Sequence, residues 1–193
     1  MNKWDERYAA DEFIFGTEPH EFIRRIQPHL PKTGRALDLA TGEGRNGVFL
    51  AQQGLQAEGV DLSAVGIAKA QKLAALKGVE FVARVADVAR MAMPSETYAL
   101  ISSVNCHFAE PVRSRVAQNI VKALVSDGLF AGVFFHPEQA ALDKGPSDIN
   151  MLVDLPTLQT AFRGLDWLIA EHHRTGEGND AKSVIYLLGR KAV

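Results

Sequence analysis

A chain of 193 residues, 47% hydrophobic and carrying a formal charge of −2 at pH 7, is long enough for one well-cored domain and too short for two of ordinary size. Its 21 basic and 23 acidic residues form no block of one sign, which leaves no electrostatic footprint for nucleic acid or an anionic bilayer. The single cysteine, Cys106, excludes an internal disulfide and any paired-cysteine metal or redox site; the charged opening MNKWDERYAADEF is no secretory signal, and the longest apolar run, LFAGVFF, is too short to span a bilayer. The expectation is a cytoplasmic monomer or homodimer that engages a small molecule, not nucleic acid or a membrane.

Taken in order, residues 1–34 read as a helical appendage, because Thr17 precedes Glu18-Pro19 and then Phe22, Ile23 and Ile26 recur at helical spacing. From Arg35 the pattern alternates. RALDLA reads as a buried strand, a helix follows from about Arg45 to Gln53 and stops at Gly54, and QAEGVDL reads as a second strand. Ser63 is placed to cap AVGIAKAQKLAALK, whose apolar residues share one face and which Gly78 ends. A third strand, VEFVARV, and a fourth, YALISSV, precede a helix from about Val112 to Ser126 stopped by Gly128, and LFAGVFF makes a fifth strand. After His136 comes a Gly/Pro/Asp-bearing stretch, then a helix near Leu155 to Phe162. DWLIAEHHRT and KSVIYLLGRK then face each other across a GEGND turn that suits a hairpin. Strands separated by helices predict a Rossmann-like, doubly wound α/β domain over the whole chain: seven strands, mostly parallel, one antiparallel strand at the C-terminal end, helices on both faces. Residues 1–34 serve as a lid on a 35–193 core.

In such a sheet the ligand sits beyond the carboxyl ends of the strands, over the first strand-to-helix turn. That turn carries Asp38 and the run Ala40-Thr41-Gly42-Glu43-Gly44-Arg45. A dinucleotide fingerprint needs a small residue where Arg45 stands. The turn instead offers two glycines for close backbone approach, with Arg45 and Asn46 at a helix start, an arrangement that favours an anionic group such as a carboxylate. Asp61, 23 positions beyond Asp38, ends the second strand where a carboxylate accepts from both hydroxyls of a ribose. Asp87, or the backbone of Val88, follows strand three at an adenine edge. Carboxylate site, ribose acceptor and adenine pocket, with no demand for phosphate, describe S-adenosylmethionine better than a nicotinamide dinucleotide.

The segment LDLATGEGRNGVFLAQQG…AEGVDLSAVGIAKAQKLA resembles class I S-adenosylmethionine-dependent methyltransferases, and among them the tellurite-resistance (TehB-like) methyltransferases. The likeness extends to WDERYAADEFIFGTEPHEF, to NCHFAEPVRSRVAQNIVKALVSDGLF, and to the GPSD and LGRK stretches, so it covers nearly the whole chain. It implies that Arg7 and Tyr8 close over the methionine end of the cofactor while the turn of Ala40, Gly42 and Gly44, with Arg45 and Asn46, contacts its amino-acid group. Asp61 would hold the ribose, Leu62 and Ser63 would lie beside the adenine, and Asp87 and Val88 would bind its rim. Val104 to His107 would face the transferring methyl, with His107 as the catalytic or orienting group. Two departures stand out: the family's Gly-Cys pair is Ala40-Thr41 here, and its histidine in the final hairpin is missing from EGNDAKS.

The implied reaction is in-line transfer of a methyl group to a small molecule, for example a tellurium or selenium oxyanion or a thiol, releasing S-adenosylhomocysteine. An anionic acceptor needs no general base; a neutral oxygen or nitrogen makes His107 the base. The alternative is a non-catalytic S-adenosylmethionine-binding module. Cys106 reads as inert packing, and His172 and His173, on alternate faces of a strand, cannot share one metal site, so no metal is expected. No Gly-Lys pair and no Gly-x-Ser-x-Gly occurs, which argues against a nucleotide hydrolase and a serine hydrolase.

Overall fold

The computed structural model describes residues 2–142, 145–146, 148–178 and 181–192. Seven strands form one sheet in the order β3-β2-β1-β4-β5-β7-β6. They are β1 (Arg35–Leu39), β2 (Gln56–Asp61), β3 (Val82–Val85), β4 (Tyr98–Val104), β5 (Leu124–Phe135), β6 (Leu165–Thr175) and β7 (Lys182–Lys191). β1 pairs in parallel with both β2 and β4, and β7 runs antiparallel to its neighbours β5 and β6, so β7 is the one reversed strand expected of the C-terminal end. The helices are α1 (Lys3–Arg7), α2 (Glu21–Arg25), α3 (Arg45–Gln52), α4 (Ala64–Lys77), α5 (Val112–Ala123) and α6 (Leu155–Ala161). Strand order reverses between β1 and β4, which opens a crevice above their carboxyl ends.

Local chemistry sets the helix that follows the crevice. Ser63 accepts from the Gly66 amide, and Gly78, left-handed at φ 67°, ends α4 by donating back to Ala74 and Ala75 carbonyls. One apolar layer, including Phe22, Ile23, Leu50 and Leu73, covers the face of the sheet under α2, α3 and α4. A second, including Ile101, Ile120, Phe130 and Phe162, fills the face under α5 and α6. Phe22, Ile23 and Ile26 are fully buried, so the second half of the N-terminal stretch belongs to the core. Only the segment before it lies across the crevice.

Two boundaries differ from expectation. The helix predicted to run to Ser126 ends at Ala123, because Leu124 turns extended, buries its side chain and gives its carbonyl to Lys191 Nζ at 2.7 Å. The chain then reverses at Asp127 (φ 61°), and Gly128 is required there because a Cβ would stand 2.8 Å from the Val125 carbonyl. The third strand starts only at Val82, because Phe81 leaves the sheet line and drives its ring over Gly47 and Gly59, where a Cβ would come within 2.5 Å of the ring. Asn179 and Asp180 of the hairpin turn and Ser147 of the GPSD stretch lie outside the described residues. Among the described residues no helix is long and apolar enough to cross a membrane.

Candidate active site

The first strand-to-helix turn is built from below by Asp38. Its carboxylate, 1% exposed, accepts from Ser102 Oγ (2.7 Å), Thr41 Oγ1 (2.6 Å) and the Gly47 amide (3.1 Å). Burial pushes its pKa up while these donors pull it down. Asp38 therefore orders the turn from underneath. Thr41, the second residue of the departing Ala40-Thr41 pair, supplies one of those donors. Ala40 takes a left-handed backbone (φ 53°), and Gly42 and Gly44 do so as well (55° and 90°), folding the loop tightly enough to start α3.

Asp61 sits across the crevice, 6% exposed, accepting from the Gly42 amide (2.8 Å) and the Ser63 amide (2.9 Å). The Leu62 amide also donates to it, and a carboxylate with only backbone donors keeps lone-pair capacity of the kind that a ribose diol uses. Burial raises its pKa, offset by those amides. Leu62 is 48% exposed and gives its carbonyl to Asn2 Nδ2 at 2.8 Å. Asp87 turns back on the Ala89 amide (2.9 Å), and Val88 is buried in the core beneath it.

The N-terminal segment covers the turn. Asp5 in α1 accepts from Ser63 Oγ (2.7 Å), and Tyr8, 6% exposed, lies on a glycine platform. A Cβ at Gly42 would stand 2.7 Å from the Tyr8 hydroxyl, and one at Gly66 would stand 3.1 Å from its ring. Burial raises the phenol's pKa, so it remains a donor at neutral pH. Arg7 and Arg45 bring their guanidiniums to one ring, Phe15, at 5.3 and 5.8 Å, and neither is paired with a carboxylate among the described residues. Two unpaired cations and a protonated phenol beside a glycine turn fit the carboxylate end of S-adenosylmethionine, and the Asp61 oxygens fit its ribose. Asn46 serves the same cover: its Oδ1 accepts from the His20 amide at 2.8 Å.

Sequence reasoning missed the clamp on this cover. Lys69, on the same face of α4 as Gly66, pairs with buried Glu43 Oε1 (2.5 Å) and donates to the carbonyls of Ala10 (2.8 Å) and Glu12 (2.6 Å). It joins the glycine turn to the N-terminal segment. The available signal was a lysine three residues after Gly66, on the same helix face.

On the other side of the crevice Val104 ends β4, buried, and Asn105 (φ 57°) turns the chain so that Cys106 and His107 point inward. The Cys106 thiol is pushed up to about 12 by burial and by the nearby charges of Asp61, Asp38 and Asp87, which keeps it un-ionised. His107 stacks on Phe135 (5.1 Å, 30°), meets Phe134 edge-on, and borders a small cavity with Ser103, Val116, Met151 and Phe162. Both ring nitrogens are buried and have no hydrogen-bond partner among the described residues, and burial lowers the His107 pKa to about 4. It is a neutral imidazole with free donor and acceptor capacity in an apolar wall.

Residues 36–128 match the family model of the methyltransferase domain. Among solved structures the chain resembles a TehB-like S-adenosylmethionine-dependent methyltransferase from Corynebacterium glutamicum (22% identity over 98% of this chain and 94% of that one, TM-score 0.65). It also resembles TehB from Haemophilus influenzae (16%, 97% and 65%, TM-score 0.76) and an S-adenosylmethionine-dependent methyltransferase from Mesorhizobium loti (19%, 87% and 96%, TM-score 0.69). No curated protein matches the chain. The chain thus carries a methyltransferase domain over residues 36–128 and, from end to end, the fold of S-adenosylmethionine-dependent methyltransferases.

Proposed function

We propose that the protein methylates a small, protic and largely uncharged acceptor bound against His107, beneath a lid formed by residues 2–16. The observation that carries this reading is the buried His107 imidazole, neither of whose nitrogens has a partner among the described residues. Leaving such a group unpaired costs about 1–3 kcal/mol, a cost that a bound acceptor's hydroxyl, thiol or amine would offset. A neutral imidazole gives an oxyanion no countercharge, so tellurium and selenium oxyanions are the weaker fit and a thiol or hydroxyl the stronger one.

S-adenosylmethionine supplies an electrophilic methyl on a sulfonium sulfur, and the residues align the nucleophile with it and keep water out. Asp61 takes the ribose hydroxyls; Arg7, Arg45 and Tyr8 take the carboxylate; Gly42 and Gly44 let the backbone approach. Leu62, Ser63, Asp87 and Val88 border the adenine. Asp38 and Asn46 act through the loops they hold. His107 Nδ1 or Nε2 accepts the acceptor's proton as its heteroatom takes the methyl.

Calorimetry with S-adenosylmethionine and release of S-adenosylhomocysteine over a panel of thiols, alcohols, amines and oxyanions test this together. We expect affinity that falls at least tenfold in Asp61→Ala, and turnover confined to protic, uncharged members of the panel. Turnover of oxyanions alone would overturn the acceptor class, and binding with no turnover on any acceptor would favour a non-catalytic module.

A further inference from the structure

Where β5 ends, three ligand-bearing side chains meet that the chain order keeps apart. His136 directly follows β5, Glu138 lies in the 3-10 turn Pro137–Ala141, and His172 projects from β6, across β7. The His136 and His172 rings stack, centroids 3.9 Å apart and planes 24° from parallel. One nitrogen of each and a Glu138 carboxylate oxygen all lie within 4.8 Å of one another. Ser183 of β7 fixes the group: its carbonyl accepts from the His136 amide (2.9 Å), and its Oγ lies 2.7 Å from His172 Nε2.

Two imidazoles and a carboxylate are a donor set for borderline divalent metals, which bind nitrogen and oxygen at about 2.0–2.2 Å. Ligands on one such ion stand roughly 3.0–3.5 Å apart and aim their ring lone pairs at it, so closing the set takes a shift of about an ångström together with a turn of one of the two stacked rings. Glu138 is otherwise held by Arg174 Nε at 3.0 Å, an arginine 70% exposed, and an exposed pair of this kind yields cheaply.

We propose that His136, Glu138 and His172 bind one divalent transition-metal ion of the zinc or cobalt type, with at least one coordination position open. Three protein ligands with a vacant position are the pattern of sites that accept an outside ligand. The site borders the acceptor side of the crevice, because His136 adjoins Phe135, the ring on which His107 stacks. It stands independently of the methyl-transfer reading. His173, on the opposite strand face, pairs with Glu171 at 2.8 Å and is left out.

Visible absorption during Co²⁺ titration of the untagged, chelator-treated chain tests the site, with calorimetry of Zn²⁺ beside it. One equivalent should bind, with a d–d spectrum, and His136→Ala, Glu138→Gln and His172→Ala should each weaken binding at least tenfold while melting like the parent. His173→Ala should bind as the parent does. Absence of binding to the parent, or binding that none of the three substitutions weakens, would overturn the site.

Discussion

Asp38 and Asp61 are both buried carboxylates at strand ends, yet their neighbours separate their roles. Asp38 gives its oxygens to Ser102, Thr41 and Gly47, side chains among them, whereas Asp61 takes backbone amides alone, from Gly42, Ser63 and Leu62. His107 is the counterpart across the crevice: among the described residues its nitrogens have no partner, and burial lowers its pKa to about 4, below the 6.5 of an unfolded chain. As pH falls from 6.5 towards 4 the unfolded chain takes up a proton that the folded one refuses, so stability is whole above this window and is lost within it, by about 3 kcal/mol for this residue. His20, also lowered to about 4 by burial, adds to the same slope. His107→Leu removes the unsatisfied nitrogens. We expect it to melt no lower than the parent at pH 7, to show a shallower loss of stability between pH 6.5 and 4, and to lose at least tenfold in turnover. Lower stability at pH 7 with turnover intact would make the histidine structural.

At the scale of elements, the cover over the crevice is held by side chains from the core. A five-residue helix such as α1 has too few intrahelical hydrogen bonds to persist alone. It is fixed by Asp5 on Ser63, by Tyr8 on the Gly42–Gly66 platform and by the Lys69 clamp. Lys69→Met keeps the alkyl stem and removes the charge, leaving buried Glu43 without its cation. Its KM for S-adenosylmethionine should rise about tenfold with a smaller change in kcat, and trypsin should cut at Arg7 sooner. Deleting residues 1–16 should weaken cofactor affinity further. Unchanged affinity in both would remove the lid from the mechanism.

For the whole molecule, a cofactor held as proposed would touch the turn after β1, the end of β2 and the N-terminal segment at once, so binding should stabilise the domain as a unit. At a hundred times the dissociation constant it adds about 2.7 kcal/mol, or roughly 5–10 °C in Tm for a domain of this size. Differential scanning fluorimetry should show that rise in the parent and lose it in Asp61→Ala. An equal rise in both would detach Asp61 from the ribose.

Much of this was legible in the order of the residues, because strand and helix periodicity and the glycine turn are local chemistry. The alternation from Arg35, the Ser63 and Gly78 ends of α4, and the turn between Asp38 and Arg45 are all set by neighbours a few positions apart. What the sequence could not tell depended on contacts between distant residues. Whether Asp38 faced a ligand was decided by Ser102, 64 positions away. The end of α5 was decided by Lys191, 67 positions from the Leu124 carbonyl. His172 was rightly separated from His173 by strand alternation, but its meeting with His136 came only when β7 inserted between β5 and β6. Periodicity states which face a side chain occupies, and only the packed sheet states what lies opposite it.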